Sequence, residues 1–252
     1  MAMELYFTWN GRDSRELGLV LQKRPDFMVP AERIQSVEIP GRSGFVTLTE
    51  GAGVYSGYIL SLEAGNRRTS SPAAITDWLR GSGELVLSCD PERVFFARLI
   101  QQSSLQHLFK GVYSGKLSFN VQPLRGQYPP ETDIELSAAG NVYNPGDVPS
   151  RPVYIIDGAG LLELNINYDE NDDDSPGSQI TIDLTDTELL GAMVDTETMM
   201  VTTTDGKESL NHLAAIYGNG ERGLWLPKGA SAVSWDTTTV DGVTIRPRWR
   251  WF

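Results

Sequence analysis

The sequence has little cysteine, little histidine and no long apolar run, and each shortage excludes a class of protein. Cys89 is the only cysteine among 252 residues, so no disulfide framework can form. A nucleophilic cysteine needs a partner base, and His107 and His212 are the only histidines. No stretch of about 18 apolar residues predicts a membrane span, and the N-terminus lacks the pattern of a signal peptide.

Charge is distributed unevenly along the chain. Residues 1–128 contain 14 Lys and Arg against 12 Asp and Glu, which gives +2, and residues 129–252 contain 7 against 21, which gives −14. The two values sum to the net charge of −12. Such asymmetry predicts two different surfaces. We expect no nucleic-acid binding, because a phosphate backbone requires neutralisation by Lys and Arg.

Glycine and proline, 25 and 14 residues respectively, are spread along the chain and favour turns and short strands over long helices. Alternating or β-branched runs predict most of the strands. In the first half these are residues 5–9, 17–21, 35–39, 45–49, 54–63, 84–88, 94–101 and 116–121. In the second half they are residues 152–156, 161–167, 179–184, 197–203, 224–226, 231–235 and 243–251, whose spacing of roughly 10 residues is typical of an all-β sandwich.

One short helix is predicted near residue 72. Ser71 can act as its N-cap, Pro72 suits the first helical position, and Gly81 can end it. Ile75 and Leu79 then lie on one face, which predicts a two-turn helix packed on a sheet. Two other segments are ambiguous: residues 94–101 also fit a helix, and residues 209–217 show a helical spacing of apolar positions.

A proline-rich segment divides the sequence. The pair Pro129-Pro130 removes two hydrogen-bond donors and makes the chain stiff and extended. We therefore predict an N-terminal domain over 1–128, a boundary region over 129–150 that includes a strand near 133–136, and a C-terminal domain over 151–252.

Two turns in the first half stand out. Asn10-Gly11 follows an apolar run, and this dipeptide favours a type I′ hairpin turn with positive φ at both positions. The second follows the strand at 36–39 and contains Pro40, Gly41, Arg42 and Gly44. Both are candidate contact motifs.

The chain ends in a cationic and aromatic segment. Arg246, Arg248 and Arg250 alternate with Pro247 and Trp249, so a strand here would place the arginines on one face. Those arginines would meet acids on a neighbouring subunit, or the surplus carboxylates of their own domain, and the two interpretations are compatible. Pro247 should lie at an edge or a bulge.

Motifs for nucleotide or metal binding are weak. Residues 218–223 match the dinucleotide pattern, but the segment should follow a strand and open a helix, and the flanking patterns are the reverse. The acidic run at 169–174 has Asp174 where a calcium loop needs glycine and Ile180 where it needs glutamate. We interpret both segments as loops and expect no cofactor and no metal.

No catalytic arrangement emerges either. The pattern Gly-x-Ser-x-Gly does not occur, and 33 carboxylates give no way to choose an acid and base pair. We expect no catalytic residues. Trp225 and Trp235 are candidates for stacking on a sugar or for packing in a core.

Several short segments, in this order and spacing, resemble the distal tail protein family of phages and prophages with long, non-contractile tails. The resemblance covers most of the chain and is poor over 161–223. Its segments are Phe7-Thr8-Trp9-Asn10-Gly11, residues 37–44, Asp90-Pro91-Glu92-Arg93, Asn144-Pro145-Gly146, Ser150-Arg151-Pro152 and Pro247-Arg248-Trp249-Arg250.

The resemblance implies a mainly β protein with an N-terminal β-barrel-like domain containing one short helix, and a C-terminal galectin-like or carbohydrate-module-like sandwich. It implies that six N-terminal domains form a ring at the virion tail tip, assembled in the cytoplasm of the bacterial host. The implied partners are a tail tube protein, a tail-tip hub protein and a receptor-binding or host-adhesion protein.

We expect Asn10, Gly11 and the turn at 40–44 to help shape that ring. The alternative function is a carbohydrate-binding module that aids adhesion to the host cell wall. Exposure of Trp225 or Trp235 beside polar groups would favour this alternative.

Overall fold

The computed structural model describes residues 4–26, 28–49, 54–67, 71–100, 104–109, 112–167, 177–218 and 224–252. These residues are mainly in β-strands, which confirms the predicted fold class. The chain forms two compact units: unit 1 contains residues 1–129 together with Phe252, and unit 2 contains Pro130–Trp251.

Unit 1 is built on a nine-stranded antiparallel sheet in which β2-β1-β7-β8-β10-β6-β3 are neighbours, β9 pairs with β10 and β11 pairs with β8. A separate two-stranded sheet contains β4 and β5. The strands are β1 Phe7–Trp9, β2 Arg12–Asp13, β3 Leu19–Leu21, β4 Ile34–Glu38, β5 Phe45–Thr49, β6 Tyr58–Arg67, β7 Ser82–Leu87, β8 Asp90–Leu99, β9 Ser104–Phe109, β10 Val112–Val121 and β11 Gly126–Gln127.

The core of unit 1 is aromatic. The ring of Phe119 lies 5.4 Å from Trp9 and 6.5 Å from Phe7, and all three side chains are fully buried. The helix α1 (Pro72–Trp78) contributes the buried Ile75 to this core. Ser71 caps α1, because its hydroxyl accepts a hydrogen bond from the backbone N–H of Ala74 at 3.3 Å, and the predicted helix is confirmed.

Two segments of unit 1 differ from the simplest sequence interpretation. Residues 94–99 of the ambiguous segment 94–101 are not helical, because β8 pairs with β7 on one side and with β10 on the other. The strand predicted over 17–21 is shorter, since a 3₁₀ turn occupies Ser14–Leu17. Asp13 caps this turn, and the buried Ser14 hydroxyl accepts from the N–H of Phe7 and donates to the carbonyl of Leu19.

Unit 2 is a sandwich of two five-stranded antiparallel sheets that share one apolar core. One sheet has the order β12-β21-β14-β17-β18 and the other β13-β20-β15-β16-β19. The strands are β12 Ile134–Leu136, β13 Gly140–Asn144, β14 Val153–Gly158, β15 Leu161–Ile166, β16 Ser178–Asp183, β17 Gly191–Asp195, β18 Met200–Thr202, β19 Ala214–Gly218, β20 Gly229–Trp235 and β21 Val240–Arg246.

The expected boundary region at 129–150 belongs largely to unit 2. Ile134–Leu136 forms the edge strand β12, near the position predicted, and Gly140–Asn144 forms β13. These strands pair with β21 and β20, which come from the end of the chain. The sequence division between the two compact units lies between Pro129 and Pro130.

Two segments of unit 2 differ from the interpretation of the sequence. Residues 209–217 are not a helix: a 3₁₀ turn at Asn211–Leu213 is followed by β19, which pairs with β16 along its length. The strand predicted to run to residue 251 ends at Arg246, because Pro247 has no N–H to donate and Arg248 adopts a positive φ of 53°. The acidic run at 169–174 and residues 219–223 of the glycine-rich motif lie outside the described residues.

Candidate assembly site

The hairpin arm, defined as β4, β5 and the turn between them (residues 34–49), forms a two-stranded sheet of its own. Its strands pair in a fixed register, with Val37 opposite Val46 and Glu38 opposite Phe45. The ladder continues below the strands, where the N–H of Arg33 donates to the carbonyl of Val54 at 2.8 Å. The arm is therefore a regular extension of unit 1.

Neighbouring side chains hold the base of the arm. Tyr55 pairs with Glu32 across the ladder, and its ring meets that of Phe252 edge-on at 5.1 Å between centroids. The carbonyl oxygen of Phe252 accepts a hydrogen bond from Arg125, which also pairs with Asp90. The base is thus fixed by packing, while the rest of the arm extends from it.

Both faces of the arm carry exposed apolar side chains. Because opposed residues share a face, Val37, Val46 and Leu48 lie on one side, and Ile34 and Phe45 on the other. Leu48 is 51% exposed and Phe45 65% exposed. Among the described residues of unit 1, none forms a layer over Phe45 and Leu48, so both faces of the arm reach solvent.

The tip of the arm is a tight turn in which the N–H of Arg42 donates to the carbonyl of Ile39 at 3.1 Å. Pro40 and Gly41 occupy the central positions, and the φ of 82° at Gly41 fits a type II turn, which requires glycine there. Gly44 also has a positive φ, of 87°. Arg42 makes no ion pair within the described residues, so its charge is presented outward.

The turn at Asn10-Gly11 has a different environment. Both residues have positive φ, as the type I′ prediction requires. The Asn10 side-chain oxygen accepts from the N–H of Glu84 at 2.8 Å, and the Asn10 N–H donates to the Glu84 carbonyl at 2.9 Å. A side chain at Gly83 would collide with the Asn10 amide. This turn therefore binds β1 to β7 within the nine-stranded sheet and is not part of the arm.

An open groove of about 790 Å³ crosses the outer side of the nine-stranded sheet. Small residues such as Gly83 are among those that line it, together with Phe96, which is 40% exposed. Glu84, Arg98 and Asn120 add polar groups of both signs. Unit 1 therefore carries a projecting apolar element and a concave surface of mixed character. No sequence pattern indicates the concave surface, because strands distant in sequence line it.

The C-terminal arginine segment, residues 246–250, is saturated by carboxylates of its own unit. Arg246 forms a two-pronged pair with Asp133 at 3.1 and 3.2 Å. Arg248 does the same with Asp195 at 3.0 and 3.1 Å. Arg250 reaches Glu197 at 3.0 Å. Of the two compatible interpretations of these arginines, the geometry favours pairing within the domain.

Backbone and apolar contacts fix the same segment. The N–H of Trp249 donates to a Glu131 carboxylate oxygen at 2.8 Å, and the Trp249 and Trp251 rings are buried in the core of unit 2. Burial works to raise the pKa of Asp195, but hydrogen bonds from Arg248 and from the Glu197 N–H outweigh it, and the net pKa is lowered. Hydrogen bonding to Asp133 raises the pKa of Arg246.

The two candidate sugar-stacking tryptophans are not free platforms. Trp235 is only 7% exposed and belongs to the core of unit 2. Trp225 is half-buried, and the Arg151 guanidinium lies over its ring at 4.4 Å. Both positions argue against sugar stacking on these side chains.

Other expectations concern metal sites and membrane spans. Within the described ranges, no three His, Cys, Asp or Glu residues are grouped so that they could hold a metal ion. In the same ranges, no helix is both long enough and apolar enough to cross a bilayer.

Comparison with solved structures finds similar folds. The protein is similar to the crystal structure of SPP1 Dit (gp 19.1), described as a paradigm of the hub adsorption apparatus in phages that infect Gram-positive bacteria. The TM-score is 0.68 at 16% sequence identity, over 96% of this chain and 97% of that chain. The resemblance seen in the sequence is thereby confirmed at the level of the fold. No protein-family model and no curated protein matches the chain.

Proposed function

We propose that this chain is a structural protein of a phage tail tip, in which six copies of unit 1 form an adaptor ring between the tail tube and the tail-tip hub. The exposed apolar sides of the hairpin arm are the observation that carries the proposal. The fold shared with a phage hub protein supports it. In this proposal the protein acts by binding in the virion tail, after assembly in the cytoplasm of the bacterial host.

A ring requires head-to-tail contacts that close by rotation, so two different surfaces of the subunit must fit each other. The arm and the groove are such a pair. The arm offers Val37 and Leu48 with charges at Glu38 and Arg42, and the groove offers an apolar ring at Phe96 with charges of both signs. We assign the contact to the arm of one copy and the groove of the next.

The expected strength of this contact is modest. Completing the burial of a partly exposed aliphatic side chain contributes about 1 kcal/mol, and three such residues lie on the side of the arm that we assign to the contact (Val37, Val46 and Leu48). The resulting total of about 3 kcal/mol is below the cost of association, about 4–15 kcal/mol. Ring formation should therefore be concentration-dependent and favoured by a tail tube or hub protein that templates it.

The charge distribution is compatible with this arrangement. Unit 1 is close to neutral, so its copies can approach one another without strong repulsion. Unit 2 carries the surplus of acids and is the proposed contact for a receptor-binding or host-adhesion protein.

The proposal is tested by light scattering and negative-stain imaging of the full chain over a range of concentrations, alone and coexpressed with tube and hub proteins. We expect six-fold rings for the wild type. The double variant Val37→Asp/Leu48→Asp should lose them, because it places charge on the apolar side of the arm.

The matched control is Ser36→Asp/Thr47→Asp, which adds the same charge to the polar part of the opposite side and should still form rings. Arg42→Ala and Gly41→Val test the tip. Rings that persist unchanged in the Val37→Asp/Leu48→Asp variant would exclude the arm as the contact, and monomers under every condition would overturn the ring itself.

A further inference from the structure

Unit 2 has a second unusual surface, on the outward side of the sheet β13-β20-β15-β16-β19. Side chains alternate along its strands: Leu164 and Ile180 are buried in the core, whereas Asn165, Gln179 and Thr181 point away from it. We call this outward side the amide face. It does not include Trp225 or Trp235.

The register of the strands aligns uncharged polar groups across the amide face. Asn165 pairs with Ser234 on one side and with Gln179 on the other, and Gln179 pairs with Tyr217. The result is a row of hydroxyl, amide, amide and phenol groups on four adjacent strands. At the usual strand spacing this row is roughly 14 Å long.

An exposed aromatic ring ends the row. This ring is Tyr217 on the edge strand β19, which is 50% exposed. A second exposed ring, Tyr143 on the opposite edge strand β13, lies opposite Ala230 and therefore stands away from the row. Ala230 and Ala232 leave the sheet surface low beside the row.

The charge of this face differs from that of its unit. Residues 129–252 carry a net charge of −14, yet among the described residues of this row and of the two next outward rows of β15 and β16 only Glu163 and Asp183 are charged. A surface that bound a cationic protein or a metal ion would concentrate the acids here. Their scarcity points to an uncharged ligand that is recognised by hydrogen bonds.

The row also contains an unsatisfied acceptor. The Asn165 side-chain oxygen is covered by its surroundings and accepts no hydrogen bond. An unpaired covered carbonyl is unfavourable, so this side chain gains by turning outward to meet a donor. A ligand rich in hydroxyl groups supplies such donors and also accepts hydrogen bonds from the amide of Gln179.

From these observations we infer that the amide face binds a neutral saccharide, with Asn165, Gln179 and Ser234 bonding its hydroxyl groups and Tyr217 stacking on a sugar ring. This assignment does not depend on the ring: it requires only a folded unit 2. It gives the tail protein direct contact with an uncharged glycan polymer.

The test uses the full chain and a panel of neutral probes: chitohexaose, cellohexaose, maltohexaose, galactan and mannan. Binding is measured by titration calorimetry for the oligosaccharides and by affinity electrophoresis for the polymers. We expect binding of at least one probe at millimolar concentration or below, unchanged by added salt. Gln179→Ala and Tyr217→Ala should each weaken it by about tenfold.

The matched control is Thr244→Ala, an outward-facing residue on β21 of the other sheet, which should bind like the wild type. All variants replace partly exposed side chains, so circular dichroism should show the fold intact. Absence of binding to every probe, or binding that the two amide-face variants leave unchanged, would overturn the assignment. Protection of Gln179 and Tyr217 by another tail protein instead of a sugar would show that the face is a protein contact.

Discussion

The hairpin arm and the C-terminal arginine segment are both short and conspicuous in the sequence, yet the structure treats them in opposite ways. The arm leaves Phe45 and Leu48 more than half exposed. In the arginine segment, Arg246, Arg248 and Arg250 all meet carboxylates of the same unit. One segment has interactions still to make, and the other has already made them.

This difference shows that a conspicuous motif can either form an interface or stabilise the fold of its own chain. Cationic and aromatic residues together are typical of interfaces, but here they stabilise a fold that carries surplus negative charge. The plain alternation of the arm is less conspicuous, although the described part of unit 1 leaves its apolar surface exposed. Whether a group is satisfied within its own chain is therefore a better guide to an interface than residue type.

The largest expected effect comes from the aromatic part of the arginine segment. Trp249→Ala should lower the free energy of unfolding of unit 2 by about 3–5 kcal/mol, because it leaves a cavity in a packed core. Phe45→Ala on the arm should change the stability of the monomer by less than about 0.5 kcal/mol. Scanning calorimetry of both variants measures the contrast, and similar losses in both would show that the arm is packed within its own chain.

Features that depend on the local backbone could be predicted from the sequence. Positive φ at Asn10 and Gly11, the cap at Ser71 and the turn at Pro40-Gly41 follow from what each residue type allows. The helical spacing of apolar residues at 209–217 indicates the wrong structure. Residues 214–218 instead form a strand, because they pair with the edge of β16, some 30 residues earlier in the sequence.

Features that depend on distant partners could not be predicted. Asp133 and Asp195 pair with Arg246 and Arg248 from more than 50 residues away in the sequence. The spacing of the arginines does not indicate which carboxylates will be their partners. The same limit applies to the amide face, since the row from Ser234 to Tyr217 exists only in the register of four strands. The exposure of Phe45 is likewise a property of the tertiary fold.

The next largest effect should come from the best-covered ion pair of the arginine segment. Arg248→Met should lower the stability of unit 2 by about 1–3 kcal/mol, because it leaves Asp195 partly buried without its cation, whereas Glu197 keeps its pair with Arg250. Arg246→Met, which breaks a more exposed pair with Asp133, should have an effect below about 1 kcal/mol. A double-mutant cycle that combines Arg248→Met with Asp195→Asn measures the coupling energy between these two side chains. Equal losses of stability in Arg248→Met and Arg246→Met would contradict this ranking.

Acid should weaken unit 2 through the same pair. The pKa of Asp195 is lower in the folded protein than the ordinary aspartate value of about 4. Its contribution to stability is therefore present above about pH 4 and is lost as the pH falls through the folded pKa. In urea titrations, Asp195→Asn should reduce the fall in the free energy of unfolding of unit 2 below pH 4. An unchanged dependence on pH would show that other carboxylates cause the sensitivity to acid.

The smallest effect on stability should come from variants of the arm. These variants test most directly whether the arm, unlike the arginine segment, acts in association rather than in folding. Val37→Ser and Leu48→Ser remove apolar surface that water already reaches, so the unfolding midpoint of dilute monomer should stay within about 0.5 kcal/mol of the wild type. The same variants should weaken association at high concentration, because there the removed surface would be buried. If they instead destabilised the monomer and left association unchanged, the arm would be a structural element and the interface would lie elsewhere.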